Sequence, residues 1–283
     1  MSLKDITVVI TSFKSGNKIF DCINSISPEI KIMVIENSND KDLKIKLNKD
    51  YKNVECILSK ENLGYAKGNN FGLKNVYTKF ALIINPDAKL EKNAINNFFI
   101  SAKSKPNFSI ISPMIQEGQS EKNLIKIENN LIEVETVKGF AMFLNLEQFE
   151  EIGFFDDNFF IYFEEIDLCR RLRYKNKKIY LDSNIIVYHP EGGSHDDDIN
   201  FEMELSRNWH WMWSTFYFHK KYDGFLFSFL KILPKLFSAL FKFFIYLLIL
   251  KKEKKKIYYS RLSGLINSIL LKKSWYRPNI DKS

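Results

Sequence analysis

Residues 159–171 read FFIYFEEIDLCRR: three carboxylates, Glu164, Glu165 and Asp167, fall within four positions, behind a run of aromatics and ahead of Arg170 and Arg171. A carboxylate against apolar surface loses hydration. Its basicity then rises, as removing a proton from a hydroxyl requires. A structural reading competes: acids in a first helical turn and arginines after them suit the helix dipole, and Asp167 and Arg171, four apart, can pair. Asp87, in INPDAKL, stands where an apolar run ends. It is either a turn or cap residue or a hard oxygen ligand for a divalent cation on a diphosphate. His189, in IIVYHPEGGSH, precedes Gly192, Gly193 and Ser194, as in a loop bent over a ligand. It is a candidate metal ligand or phosphate contact, with His195 a weaker one.

These residues need elements to position them. Apolar runs at 6–11, 31–37, 54–59 and 80–86 alternate with helical patterns at 17–26, 41–49, 65–76 and 93–103. Continuous apolar strands alternating with helices predict a mostly parallel α/β sheet covered on both faces. Ligands bind at the carboxyl ends of such strands, and all four ends here are polar: TSFKSGN, Glu36-Asn37-Ser38-Asn39-Asp40, KENLGYAKGNN and Asn85-Pro86-Asp87. Gly64, Gly68 and Gly72 are four apart, not in the GxGxxG spacing, which disfavours a dehydrogenase. On a helix they form one stripe, suited to close packing on the sheet and compatible with a helix N-terminus facing phosphate. A short helix is expected at 147–153, a helix at about 164–174, two short strands within 177–189, and helices from Ile199 onward.

The chain of 283 residues carries a net charge of +8, and its three cysteines form no CxxC pair. Neither a disulfide framework nor a zinc knuckle is indicated. Cys22 and Cys56 read as core, and a reducing compartment fits. The opening MSLKDITVVITSF reads as a first strand rather than a signal peptide. The charge is local: residues 220–256 hold ten lysines against Asp223 and Glu253, so the rest of the chain is balanced. A broad nucleic-acid-binding face is therefore disfavoured.

In order along residues 5–195, the segments VVITSFKSGNKIFDCINSI, VIENSN, ENLGYAKGNNFGL, INPDAKL, KGFAMFLNLEQFEEIGFFDDNFFIYFEEIDLCRRLR and KIYLDSNIIVYHPEGGS resemble the family 2 glycosyltransferases of GT-A fold, within them the rhamnosyltransferase-like group. The resemblance implies that Thr11, Ser12 and Phe13 line a nucleotide pocket, that Glu36 contacts base or ribose, and that Asn62 and Gly64 border it. Asn85-Pro86-Asp87 would be a reduced DXD motif with Asp87 on Mn²⁺ or Mg²⁺, completed by His189. Gly139 and Phe140 would border the acceptor, with Asp156 either an acceptor contact or a turn residue. Glu165 would be the general base, where the family carries Asp in a Glu-Asp pair, and Glu164 would bind acceptor hydroxyls.

Residues 225–250 are long enough for a membrane span, yet Lys231, Lys235 and Lys242 share one face with Ser228 and Ser238 and the rest is apolar. That pattern predicts a helix lying in the bilayer interface, followed by KKEKKK at 251–256 to attract anionic headgroups. A helix packed on the catalytic domain is the alternative. The aromatic segment 208–218 would sit at the interface or over the acceptor groove. The expected organisation is a GT-A domain over 1–220 and a helical extension over 221–283. The expected protein is an inverting, metal-dependent transferase at the cytoplasmic face of the cell membrane. The resemblance implies dTDP-rhamnose as the first expected donor and a UDP-hexose as the second, and membrane proximity a glycan or polyprenyl-linked glycan as acceptor. A sugar-phosphate nucleotidyltransferase and an inactive, membrane-docked glycan-binding protein are the competing readings.

Overall fold

The computed structural model describes residues 1–114, 130–190, 195 and 197–279. The chain forms two compact units, Met1–Phe155 with Glu165–Asp196, and Asp156–Glu164 with Asp197–Ser283. The boundary expected at residue 220 falls inside a helix, Asn200–Asp223.

The first unit alternates β1 (Ile6–Ser12), α1 (Lys18–Asn24), β2 (Lys31–Glu36), α2 (Lys41–Asp50), β3 (Val54–Leu58), α3 (Gly64–Leu73) and β4 (Phe80–Ile84). It continues through β5 (Lys89–Leu90), α4 (Ala94–Ser104), β6 (Phe108–Pro113), β7 (Leu131–Glu133), β8 (Ala141–Asn145), α5 (Glu164–Tyr174), β9 (Lys178–Asp182) and β10 (Val187–Tyr188). Eight strands form one sheet in the order β3-β2-β1-β4-β8-β6-β9-β7. β1 pairs in parallel with β2 and β4, β2 with β3, and β6 with β9, while β8 lies antiparallel between β4 and β6, and β7 is antiparallel to β9. All five residues of β4 are buried, which is why these strands read as unbroken apolar runs. The three cysteines are free and buried.

Two devices position the strand ends. The first is the glycine stripe of α3. A Cβ at Gly72 would lie 2.5 Å from Val9 Cγ1, and one at Gly68 2.6 Å from Thr11 Cγ2, so α3 rests directly on β1. The second is the ribbon β5–β10, where Tyr188 pairs with Lys89. That register brings the residue after β10 back to the turn after β4. The helix expected over 147–153 is a 3-10 turn, Leu146–Phe149. It is closed by Gly153 at φ +69, whose N–H donates to Phe149 O at 2.8 Å.

In the second unit, α6 (Asn200–Asp223), α7 (Phe225–Leu248) and α8 (Lys252–Ile269) pack around Met212, Phe216, Ile232, Ala239, Leu262 and Leu265. A Cβ at Gly264 would stand 2.2 Å from the carbonyl oxygen of Trp209, so this glycine sets how closely α8 approaches α6. Gly224, at φ +80, breaks α6 from α7. Residues 272–276 fasten onto α6. Trp213 Nε1 donates to Lys272 O at 3.0 Å, and His210 holds Tyr276 O and Ser274 Oγ, each at 3.0 Å.

α7 turns Ser228, Ile232 and Ala239 inward. Leu226, Phe227, Leu230, Phe237, Phe241, Phe244 and Leu248 are exposed. Lys231, Lys235 and Lys242 are exposed beside them. Ser228, expected on the lysine face, is instead buried, its Oγ donating to Gly224 O at 2.6 Å. Among the described residues no helix is long and apolar enough to cross a membrane.

Candidate active site

The turn after β4 carries the most exacting chemistry. Asp87 is 5% exposed, and neither carboxylate oxygen has a hydrogen-bond partner among the described residues. A buried, unsatisfied carboxylate is costly. His189 Nε2 stands 3.3 Å from Asp87 Oδ1 and 3.1 Å from Asn85 Nδ2. Asp87 and His189 thus present a hard oxygen and an imidazole nitrogen side by side, a donor pair that suits a divalent cation. Phe140 fixes the imidazole by stacking on it at 4.9 Å, and its carbonyl accepts from Asn85 N at 2.9 Å. The predicted residues Asn85, Asp87, Phe140 and His189 are thus brought together. Among the described residues no cluster of three or more His, Cys, Asp or Glu could hold a metal. The glycines and Ser194 after His189 lie outside the described residues. Buried His195 accepts from Lys18 Nζ through its backbone carbonyl at 2.6 Å.

The strand ends of β1 and β2 form a second group. Thr11 Oγ1 donates to Asn69 Oδ1 at 3.1 Å, and buried Ser12 donates to Ser15 Oγ at 3.0 Å. Phe13 follows, partly exposed. Glu36 is fully buried and accepts from Ser38 N at 3.0 Å and Asp40 N at 2.8 Å, with Ser38 Oγ also on Oε1. Its carboxylate is taken up in shaping its own loop. Asn62 Oδ1 accepts from Gly64 N at 3.1 Å. Sequence reasoning counted Asn37 among the polar strand ends but gave it no role; its buried Nδ2 donates to Gly64 O at 3.0 Å, and among the described residues its Oδ1 is buried without a hydrogen-bond partner. A polar residue at the end of an apolar strand was the available signal.

A third group forms around α3. Tyr65 Oη donates to Gly139 O, and a Cβ at Gly139 would meet that hydroxyl at 3.2 Å. Buried Asn70 clasps the backbone of Phe155 on both sides, at 2.8 and 3.0 Å. Tyr65 and Asn70 were missed because their partners lie more than seventy residues away. In the second unit, Asp156 Oδ2 accepts from Lys221 Nζ at 2.7 Å and Tyr217 Oη at 3.0 Å, while Oδ1 accepts from Asn158 N at 3.0 Å. Burial pushes the Asp156 pKa up, but the hydrogen bonds from Lys221 and Asn158 outweigh it and leave the carboxyl below its ordinary value.

α5 opens with the two glutamates. Glu164 is buried. Glu165 is partly exposed as a residue, yet its Oε2 is covered and without a hydrogen-bond partner among the described residues. Burial raises the Glu165 pKa, opposed by backbone N–H groups at the helix start and by the charge of Lys138. A covered carboxylate of raised basicity differs from a solvated helix cap in its surroundings. Asp167 is fully buried and pairs with Arg171 at 2.8 Å, as the spacing predicts. Arg171 also donates to Ile152 O at 2.9 Å and to Phe154 O.

A family model described as glycosyl transferase family 2 matches residues 7–170. The low-salt glycan biosynthesis hexosyltransferase Agl10 of Haloferax volcanii is 30% identical over 200 residues. That match covers 62% of this chain and 64% of the relative, so the chain spans less than two thirds of the relative's length. Among solved structures, S. aureus TarS 1-349 in complex with UDP-GlcNAc matches with a TM-score of 0.53 at 14% identity, over 98% of this chain and 95% of that one. GalNAc-T7 with UDP, GalNAc and Mn²⁺ gives 0.56 at 16%, over 66% and 44%. At these identities the structures speak to the fold, which is of the GT-A type with C-terminal helices added.

Proposed function

The chain belongs to glycosyl transferase family 2, and we propose that it is an inverting, metal-dependent hexosyltransferase of glycan biosynthesis. The observation that carries this is Asp87: a buried carboxylate, both oxygens unsatisfied, facing His189 at the carboxyl end of the sheet. Asp87 and His189 would hold Mn²⁺ or Mg²⁺, the remaining ligands coming from the donor's diphosphate and water. The ion supplies charge stabilisation to the departing nucleoside diphosphate. Thr11, Ser12, Phe13, Asn62 and Gly64 border the nucleotide. Asn37 offers its free Oδ1 there, while Glu36 holds the loop that carries it.

Glu165 takes the proton of the acceptor hydroxyl as that oxygen attacks the anomeric carbon and the bond to the diphosphate breaks. Its raised pKa supports the role. Glu164 binds acceptor hydroxyls. Gly139 and Phe140 border the acceptor, and Asp156 is either a further acceptor contact or a turn residue. The UDP ligands of the solved neighbours favour a UDP-linked hexose over dTDP-rhamnose as donor.

The exposed apolar face of α7 supports peripheral attachment to a membrane, with Lys251, Lys252, Lys254, Lys255 and Lys256 next to it for anionic headgroups at the cytoplasmic leaflet. A polyprenyl-linked glycan acceptor follows from that location. The test is a thermal-shift screen of UDP, dTDP, GDP and CDP with and without Mn²⁺, wild type beside Asp87→Ala. Stabilisation by one diphosphate only with metal, lost in Asp87→Ala, is expected. An equal response in both proteins refutes the metal assignment. In turnover, Glu165→Gln should abolish transfer while still binding nucleotide.

A further inference from the structure

Three asparagines take hold of Gly64 and Tyr65, the first two residues of α3. Asn62 Oδ1 accepts from Gly64 N at 3.1 Å, and Asn37 Nδ2 donates to Gly64 O at 3.0 Å. Asn69 Nδ2 donates to Tyr65 O at 3.0 Å, while its Oδ1 accepts from Thr11 Oγ1 at 3.1 Å. The Tyr65 side chain joins this group to a distant segment, since its Oη donates to Gly139 O. A Cβ at Gly139 would stand 3.2 Å from that hydroxyl and 3.5 Å from the ring carbons Cε1 and Cζ, so the missing side chain lets the ring close on the carbonyl. The ring has support of its own: Phe155 meets it edge-on at 5.9 Å, and Asn70 clasps the Phe155 backbone. Gly139 in turn precedes Phe140, which stacks on His189 and accepts from Asn85 N. On its other side the segment follows α5, with Arg173 on Glu135 at 2.7 Å and the Cys169 thiol hydrogen-bonded to the Val137 backbone. Every one of these residues belongs to the first unit.

We propose that Tyr65 is the positioning residue through which an occupied nucleotide pocket fixes the acceptor border. A nucleoside diphosphate against Thr11, Asn62 and Gly64 steadies the start of α3, and the Tyr65 hydroxyl passes that constraint to the carbonyl of Gly139. The inference rests on the reading of those three residues as bordering the nucleotide. Tyr65 acts through Gly139 and takes no part in bond making. A ligand that orders one end of a hydrogen-bonded chain lowers the entropy cost of ordering the other. The acceptor then meets a border already set, which is positive coupling between the two sites.

The experiment uses the full chain as wild type, Tyr65→Phe and Gly139→Ala. Amide hydrogen exchange is read over peptides spanning 136–142, with and without Mn²⁺ and the diphosphate that binds among UDP, dTDP, GDP and CDP. Calorimetric titration gives the affinity alongside. In the wild type the diphosphate with Mn²⁺ is expected to slow exchange over 136–142 about tenfold. Tyr65→Phe keeps the ring on Phe155 and loses only the hydroxyl. It should lose that slowing while binding the diphosphate within about threefold of wild type. Gly139→Ala, which keeps the hydroxyl and crowds it, should lose the slowing too. A wild type that binds a diphosphate without slowed exchange at 136–142 overturns the proposal, as does full slowing in Tyr65→Phe. Faster exchange across β2 as well in Tyr65→Phe marks a general support of the sheet and overturns the specific role. Binding of none of the four diphosphates by the wild type refutes the nucleotide-pocket reading and takes the proposal with it, whereas binding without the coupling sinks the proposal alone.

Discussion

Gly68 and Gly72 lie one turn apart on α3, and a methyl group at each would meet different neighbours. At Gly72 the new Cβ would stand 2.5 Å from Val9 Cγ1 and 3.3 Å from Ile35 Cγ1, both on fully buried strand residues. Relaxed carbon contacts lie near ~3.5–4.0 Å, so α3 must lift by about 1 Å. Overpacking of this kind costs about 1–3 kcal/mol, and alanine's better helix propensity returns about 1 kcal/mol. A contact as short as 2.5 Å puts the overpacking cost at the upper end of that range, so Gly72→Ala should destabilise by about 2 kcal/mol net, or lower Tm by about 4–8 °C for a unit of this size.

At Gly68 the clashes are with Thr11 Cγ2 at 2.6 Å, Thr11 Oγ1 at 3.1 Å and Asn37 Nδ2 at 3.1 Å. Thr11 is partly exposed and can rotate, so less stability is lost. Rotation, however, breaks the Thr11–Asn69 hydrogen bond and crowds Asn37. UDP affinity should fall about tenfold, equivalent to about 1.4 kcal/mol. Thermal melts of both variants, with calorimetric titration of UDP and Mn²⁺, separate the two effects. A Gly72→Ala protein as stable as wild type, or a Gly68→Ala protein binding UDP normally, would refute the view of α3 as tightly seated against these strands.

Asp167→Asn leaves the partly buried Arg171 guanidinium without its charge partner. It should cost about 3 kcal/mol in urea unfolding; a loss under about 1 kcal/mol would mean that the two carbonyls on Arg171 suffice. Burial holds His210 down to about 3, against about 6.5 in the unfolded chain. The unfolded state binds more protons between those values, so this stability is complete above about pH 6.5 and drains as pH falls toward 3. His210→Gln should flatten Tm against pH over that window; an unaltered slope would assign the acid sensitivity to other groups. Replacing Phe237, Phe241 and Phe244 by serine removes side chains that are more than half exposed. Flotation with anionic vesicles should drop about a hundredfold while Tm holds, since each ring contributes on the order of 1 kcal/mol when half-buried in lipid. Undiminished flotation would place the contact elsewhere.

The alternation of β1 to α4 was legible because strands buried on both faces leave unbroken apolar runs, and α5 was legible because acids and arginines mark its two ends. The Asp167–Arg171 pair followed from spacing alone. Long-range competition was not legible. Glu36 is claimed by the loop beside it, and Asp156 by Tyr217 and Lys221 more than sixty residues on. Ser228 sits at the margin of the lysine stripe, and only the packing of α6 and α8 decides that it turns inward. The meeting of His189 with Asp87 depends on β5 and β10, two residues each, too short to leave a periodic pattern. The second unit's claim on Asp156–Glu164 leaves no local trace either, since its partners are the outward spacing of Trp211, Ser214 and Phe218.

That claim has a consequence for biosynthesis. Asp156–Glu164 leaves the ribosome long before α6, the helix that holds it, and α6 is itself fastened by residues 272–276. At about 5–20 residues per second, roughly 110 residues of translation, several seconds at least, separate that segment from its last supports. The nascent chain must carry Tyr162 and Phe163 through that interval in relaxed, right-handed or extended form. The left-handed pair, Tyr162 and Phe163 at φ +73 and +71, takes its final form only after α6 and residues 272–276 have been made, so a later segment finishes an earlier one.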